Sequence, residues 1–449
     1  MISVYRRACL QALDILCLLL ALGVAGVATI EPDLHVLHDY TGASMFTVFF
    51  YMLFFYILDA YSVGLEDFKE TMGRVLLACF LGIISSSTAS YSFQHWRFDR
   101  ETLVVLFAVS FTCSLCWRWL YVRFADRITH PLRVLLVGVD RAGKVRNLLA
   151  EGLPKAEIIG YVGEPGQDPE AGPCLGAPFD CLGVAQAHKA TMIVLLPDAP
   201  IDGDIAHELL EAKLRGAMVV DIRTFYEHVA QRLPLSQITD EWLLLNEGFT
   251  LNTRGSLRRL KRALDVILSL AMLVPAMPIM LLTAAIVRLE SPGPVIYRQD
   301  RVGLFEREFT VYKFRSMRSD AEKDGAVWAK AGDSRVTRFG KFIRKVRIDE
   351  LPQIWNILKG DMSFIGPRPE RMAFVRELRT SIPYYGLRHT VKPGLTGWAQ
   401  VSYPYGASVE DARRKLEYDL YYIKNMSILL DVHIIFKTIG VILFPKGAR

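Results

Sequence analysis

The sequence predicts a membrane protein in three parts. They are an N-terminal bundle of four transmembrane helices (1–128), a cytoplasmic parallel α/β domain (129–250), and a basic C-terminal domain (251–449) carrying a re-entrant membrane helix at 262–289. Three observations predict this. Four apolar runs crowd the first 125 residues, strand and helix patterns alternate after residue 132, and a fifth apolar run holds two prolines and has cations at both ends. The 449 residues suffice for about two or three domains. Their 51% hydrophobic content and mean hydropathy of +0.24 fit a chain with membrane segments.

The first four runs cover roughly 8–30, 43–63, 74–93 and 103–122, each near the ~20 residues a bilayer span needs. Arg6 and Arg7 precede the first, and Ala25-Gly26-Val27-Ala28 sits where a signal peptidase cuts, but three further spans point to an uncleaved anchor. Lys69, Arg74, Arg123, Arg127 and Arg133 join Arg6 and Arg7 on one side of the bilayer; Arg97 and Arg100 lie on the other. This bias places the N-terminus and everything after residue 123 in the cytoplasm. The net charge of +6 suits anionic lipid or phosphate-bearing ligands, and no nucleic-acid partner is expected. The seven cysteines show no zinc pairing; Cys113 and Cys116 lie inside an apolar run and read as small membrane-helix residues.

From 132, "LRVLLVGVDRAGKVRNLLAE" reads strand, glycine turn, helix. "AEIIGYVGE", "TMIVLLPD" and "AMVVDIRT" are further apolar strands, and "DIAHELLEAKLRG" is an amphipathic helix closed by glycine. The alternation implies a parallel, Rossmann-like sheet. Gly138 and Gly143 fit a phosphate-binding turn, but Asp140 occupies the middle glycine position and would face a pyrophosphate. The domain is either a nucleotide binder or a structural or regulatory module.

The fifth run, 264–287, has Pro275 and Pro278 at its centre, where each removes a backbone donor and bends a helix. "RRLKR" precedes it, and Arg288, Arg298, Arg301, Arg307, Lys313 and Arg315 follow, so both ends read as cytoplasmic. A helix that enters, breaks at the prolines and returns satisfies both facts; the alternative is a kinked span that puts the last 160 residues outside. Further on, Val336, Phe339, Phe342, Ile343 and Val346 recur at helical spacing among Arg338, Lys341, Arg344 and Lys345. That is the pattern of an interfacial membrane helix, or of a soluble helix packing on its own domain. The apolar stretch 428–444 carries Asp431 and Lys437 and reads as a surface or packed helix.

Asp349 and Glu350 follow six basic residues in 335–347. They admit a structural reading, as cap and dipole partners of a helix begun at Pro352 and ended by Gly360. They also precede Gly366-Pro367-Arg368-Pro369, a rigid turn presenting an arginine as a phosphate clamp requires. Two acids among many cations at a membrane surface suggest a metal–phosphate site, with Mg2+ between carboxylates and a carboxylate able to attack phosphorus once its charge is screened.

Residues about 255–449 resemble the bacterial sugar transferase domain of monotopic polyprenyl-phosphate phosphoglycosyl transferases. "KRALDVILSL", "SPGPVIYRQDRVG", "FTVYKFRSMRSDAE", "DSRVTRFGKFIRKVRIDELPQIWNILKGDMSFIGPRPE", "VKPGLTGWAQV" and "YDLYYIKNMSILLDVHIIFKT" carry the resemblance. The four spans, the α/β domain and "TFYEHVAQRLPLSQI" resemble large-subtype members that begin exopolysaccharide or O-antigen units. The resemblance implies a mixed α/β catalytic domain on the cytoplasmic face of the bacterial inner membrane. It implies transfer of a sugar 1-phosphate from a UDP-sugar (glucose or galactose by default) to undecaprenyl phosphate, with release of UMP. Asp349 would be the nucleophile and Glu350 would help hold Mg2+, both acids counting as metal ligands. Arg344, Arg368, Lys313 and Arg315 would bind phosphate; Pro352, Gln353 and Asn356 belong to the helix supporting the acids; Pro275 and Pro278 mark the break in the re-entrant helix. A homodimer through the middle domain is compatible with it.

Two positions depart from the family pattern: Val274 precedes Pro275 where serine is frequent, and "SYPYGAS" follows "WAQV" without an arginine. Two rival functions remain at this point. A membrane-anchored nucleotide-sugar oxidoreductase would need the glycine fingerprint that Asp140 spoils and a Tyr-x-x-x-Lys pair that the middle domain lacks. A non-catalytic scaffold for polysaccharide assembly would leave Asp349 without a chemical role.

Overall fold

A computed structural model describes residues 2–29, 34–58, 60–61, 68–92, 98–128, 132–138, 145–146, 156–163, 172–177, 180–197, 199, 202–245, 247–249, 255–318, 335–403, 406 and 408–443. It divides into two compact units, residues 1–130 with 436–444, and residues 131–435 with 445–449.

The first unit contains helices α1 (Ile2–Thr29), α2 (Leu34–Ile57), α3 (Phe68–Ser92) and α4 (Arg100–Ile128). Among the described residues four helical stretches are long and apolar enough to cross a membrane: Leu10–Val27, Thr71–Ala89, Arg100–Tyr121 and Gly255–Glu290. Three of these lie in the first unit and one in the second; the apolar stretch described in α2 is Gly42–Ile57. Inside the first unit Asp14 is fully buried against Arg118 at 2.7 Å and also accepts from Ser114 Oγ and Trp117 Nε1. A buried charge in a membrane bundle needs such a partner, and this one joins α1 to α4. Cys113 and Cys116 lie in α4, and the described cysteines are unpaired.

The second unit opens with five strands: β1 (Leu132–Val137), β2 (Ala156–Val162), β3 (Cys174–Gly176), β4 (Met192–Leu195) and β5 (Met218–Asp221). All pair in parallel in the order β3-β2-β1-β4-β5. Val134 and Leu136 bury into one core, Leu135 and Val137 into another, as period-two alternation demands of a sheet covered on both faces. Gly138 ends β1 with φ 94°; Asp140 and Gly143 lie outside the described residues.

The C-terminal elements are two small sheets among helices. β6 (Ile296–Val302) and β7 (Glu308–Phe314) form an antiparallel hairpin, while β8 (Ser363–Ile365) and β9 (Gly394–Thr396) pair in parallel. Their core extends upstream of residue 250: Leu233, Leu235 and Ile238 are buried with Met362, Ile365, Trp398 and Leu420. Leu233 N donates to Glu417 O, Trp398 Nε1 donates to Gln231 O, and Lys424 pairs with Glu227 at 2.6 Å.

The helix Gly255–Glu290 runs through Pro275 and Pro278 without being divided, so the expected break at the prolines is not an interruption of the helix. Each proline deletes one N–H, which a long helix tolerates by bending. Both its ends are tied to elements of the C-terminal part of the second unit. Near the start Arg262 donates to the carbonyls of Ile357 and Leu358, and Asp265 accepts from Ser363 Oγ and Phe364 N. Near the finish Val287 O accepts from Arg315, and Glu290 accepts from Phe339 N. Ser269, Ala276 and Thr283, seven residues apart, are buried, whereas Leu270, Val274, Leu281 and Leu282 are exposed apolar side chains.

Candidate active site

The site is assembled on β7 and the turn after it in the fold. Asn356, fully buried, accepts from Tyr312 N through Oδ1 at 3.2 Å and donates from Nδ2 to Thr310 O at 2.7 Å. The side-chain amide thus acts as an extra strand edge and locks the helix Ile354–Lys359 to β7. This brings Lys313 of β7 beside Glu350, with Nζ 2.9 Å from Oε1.

Asp349 and Glu350 lie in a 3₁₀ turn, Ile348–Gln353, which also contains Pro352 and Gln353 and runs into the helix Ile354–Lys359. The cap reading is corrected: no side-chain cap bond forms at either helix start. Gly360 ends the helix at φ 97°, as expected. Arg347 enters the turn at φ 61°, a left-handed conformation that costs a non-glycine residue roughly 1 kcal/mol. It swings the chain out of the cationic helix Arg338–Lys345 and points the acids inward.

The two acids have opposite electrostatics. Glu350 Oε1 accepts from both Lys313 (2.9 Å) and Arg368 (2.8 Å), and Arg347 lies 3.8 Å from Oε2. Burial opposes its charge, but Arg368, Lys313 and Arg347 together outweigh burial and hold its pKa well below the ordinary carboxylate range. Asp349 is also buried, and its Oδ1 has no hydrogen-bond partner among the described residues. Burial, then the charge of Glu350, pushes its pKa up to about 6, against the pull of Lys313, Arg347 and Arg344. Burial likewise lowers the Lys313 pKa, partly offset by Glu350.

Arg368 is presented by a backbone whose carbonyls are all engaged. Pro367 O accepts from Gly394 N, Arg368 O from Arg388 Nη2, Pro369 O from Arg301 Nη1 and Glu370 O from Val302 N, all at 2.9–3.0 Å. Gly366 and Gly394 permit the close approach: a Cβ on Gly394 would sit 2.1 Å from Gly366 N. Arg388 is itself buried against Asp419 at 3.0 Å and donates to Tyr385 Oη.

The structure therefore gathers Asp349, Glu350, Lys313 and Arg368, with Arg344 near enough to act on Asp349. It does not bring in Arg315, whose guanidinium donates to the carbonyls of Val287, Ser291 and Pro292 and ties the end of the long helix to β7. Arg347 has one sequence signal, its i,i+3 spacing to Glu350. Arg388 and Asp419 have none, since their partners are distant in the chain.

Residues 256–445 match the bacterial sugar transferase family. The UDP-N-acetylgalactosamine-undecaprenyl-phosphate N-acetylgalactosaminephosphotransferase of Aeromonas hydrophila is 54% identical over 190 residues, covering 42% of this chain and 45% of that protein. The UDP-glucose:undecaprenyl-phosphate glucose-1-phosphate transferase of Escherichia coli (strain K12) is 42% identical over 187 residues, covering 41% of this chain and 40% of that protein. The matches thus span less than half the length of these two relatives. A Caulobacter vibrioides protein with the same name as the second is 39% identical over 206 residues, covering 44% of this chain and 77% of that protein. With that relative matched over most of its length, and with the family's own pattern running from Ser256 to Pro445, the chain belongs to the bacterial sugar transferase family.

Proposed function

We propose that this chain transfers a sugar 1-phosphate from a UDP-sugar to undecaprenyl phosphate at the cytoplasmic face of the bacterial inner membrane, releasing UMP. The observation that carries this is the division within the acid pair: Glu350 is bound by two cations, while Asp349 is buried with an unpartnered oxygen. Asp349 attacks the phosphorus attached to the sugar. A bond forms from its carboxylate oxygen to phosphorus, the bond from that phosphorus to the bridging oxygen breaks, and UMP leaves with that oxygen. An oxygen of undecaprenyl phosphate then attacks the same phosphorus, the aspartyl–phosphorus bond breaks, and the carboxylate is regenerated. A covalent route lets one site serve a soluble donor and a lipid acceptor in turn. Lys313 and Arg368, oriented by Glu350, screen the repulsion between carboxylate and diphosphate.

Mg2+ fits the donor set. Two carboxylates are enough for an ion that takes its other ligands from phosphate and water; among the described residues Asp349 Oδ1 accepts no hydrogen bond, and Glu350 Oε2 has Arg347 at 3.8 Å. Asp349 and Glu350 would hold it, and it would supply charge neutralisation at the diphosphate.

The re-entrant reading of Gly255–Glu290 belongs to the same proposal. Straight, a rise of 1.5 Å per residue would set Arg262 and Val287 about 38 Å apart. Both nevertheless bond to one small assembly, in which Asn356 grips Tyr312 and Arg315 lies three residues further on. The buried small residues Ser269, Ala276 and Thr283 fit the inside of a bend, and the exposed leucines fit lipid. For the sugar, the relative at 54% identity weighs toward N-acetylgalactosamine over the glucose or galactose default. A UMP-release screen across UDP-sugars, with undecaprenyl phosphate as acceptor, tests the proposal. Release that is retained in Asp349→Ala would refute it.

A further inference from the structure

Beside the acid pair lies a recess lined by Arg301, Lys313, Gln353, Arg368 and Gly394, with Val311 and Pro369 forming its apolar side. It admits about one water-sized atom. Arg301 is anchored: it donates to Pro369 O and to Gln299 Oε1 and lies 3.5 Å from Glu370. Lys313 and Arg368 share Glu350. Arg301 thus pairs with Glu370, while Lys313 and Arg368 converge on Glu350 from the recess side. Gln353 is the exception in this network. It is 3% exposed, and its buried Nε2 makes no hydrogen bond among the described residues. A buried amide donor without an acceptor costs stability, so its retention needs a reason. Support of the acid pair is not that reason, because that task falls to Asn356, whose amide is fully used.

We propose that Gln353 and Arg301 form an oxyanion subsite that takes one non-bridging phosphoryl oxygen of a substrate. The recess fits a single oxygen, not a whole ligand, and its walls supply N–H donors and positive charge, the chemistry a phosphate oxygen seeks. This deepens the proposed transferase reading and rests on it. The phosphate belongs either to the UDP-sugar or to the polyprenyl phosphate, which share this chemistry.

The experiment uses the full chain in detergent with Gln353→Leu, close in volume but without the donor, and Gln353→Glu, which adds a negative charge. Melting is followed with and without inorganic phosphate, UMP or undecaprenyl phosphate, and KM is measured for each substrate. Gln353→Leu is expected to melt no lower than the wild type without ligand, yet to lose most of the ligand-induced shift. Its KM should rise about tenfold or more for one substrate, the loss of a hydrogen bond to a charged group. A rise confined to the UDP-sugar assigns the oxygen to the donor; a rise confined to the lipid assigns it to the acceptor. Gln353→Glu should lose the shift entirely. If Gln353→Leu melts lower but keeps its ligand shifts and both KM values, Gln353 is structural and the subsite is wrong. A wild-type chain that releases no UMP with any donor would sink the transferase reading alone, because the phosphate-induced shift still judges the recess.

Discussion

Arg388 donates through Nη2 to the main-chain carbonyl of Arg368 at 3.0 Å, so one buried guanidinium sets where another can point. The same Arg388 is paired with Asp419 at 3.0 Å, and Asp419, pushed up to about 6 by burial against the pull of Arg388, has no other cation so close among the described residues. Arg388→Lys keeps the charge but loses the fork whose Nη1 holds Tyr385 while Nη2 reaches Arg368 O and Asp419. It should lower kcat for UMP release about 10- to 100-fold with a smaller change in KM for the UDP-sugar, since a displaced Arg368 serves the transition state more than binding. Unchanged kcat in a folded Arg388→Lys protein would remove the positioning role.

Asp349→Asn should separate activity from stability. UMP release should fall by at least about three orders of magnitude. The folded protein should nonetheless become more stable at pH 8. The pKa of Asp349 is raised in the fold, so the native state holds the proton more tightly and its charge costs stability above about 6. The gain is on the order of 3 kcal/mol at pH 8 and disappears as pH drops below the unfolded carboxylate value near 4. Thermal melts of both proteins at pH 4 and pH 8 check the sign; a variant less stable than the wild type at pH 8 contradicts it.

The pH–rate profile follows from the same residue. A nucleophilic carboxylate must be ionised, so kcat/KM for the UDP-sugar should climb about tenfold per pH unit below about 6 and level off above it. Glu350 should add no limb near neutrality, because its cations keep it ionised far below that range. A profile that is flat between pH 5 and 7 would show that Asp349 does not attack.

The long helix makes a topological prediction. Single cysteines introduced near residues 256 and 292, in an otherwise cysteine-free chain, should both react with an impermeant maleimide from the cytoplasmic side. Labelling from opposite sides would establish a span.

We propose that the boundary of the C-terminal domain lies upstream of 251, because Leu233, Leu235 and Ile238 are buried in its core. We predict that a chain beginning at residue 231 is more stable than one beginning at 251 by on the order of 5 kcal/mol, since each buried leucine removed costs about 2–5 kcal/mol. Denaturant melts of the two in the same detergent decide it, and equal midpoints would return the boundary to 251.

Much of this was legible in the chain. The α/β sheet could be read because apolar strands alternating with amphipathic helices are a local, periodic signal, and β1 runs from Leu132 as its pattern predicts. Asp349, Glu350 and Arg368 were legible as two acids and a proline-held arginine in a basic stretch, while the role of Lys313 and the division of labour between the acids came from motif resemblance. The 3₁₀ turn was not, because Pro352 suits the first turn of an α-helix equally well, and only the three-residue hydrogen-bond spacing, as from Glu350 N to Arg347 O, distinguishes the two.

By itself the sequence determined the order of parts, the basic and apolar character of the last domain, and which residue types were present to do phosphoryl chemistry. These follow from local pattern and composition. Only the tertiary structure decided that Arg315 caps a helix end while Arg368 reaches Glu350, that Gln353 is left without a partner, and that Asp349 and Glu350, neighbours in the chain, have pKa values displaced in opposite directions. Charge and hydrogen bonding depend on which distant groups share a buried space, and adjacency along the backbone does not encode that.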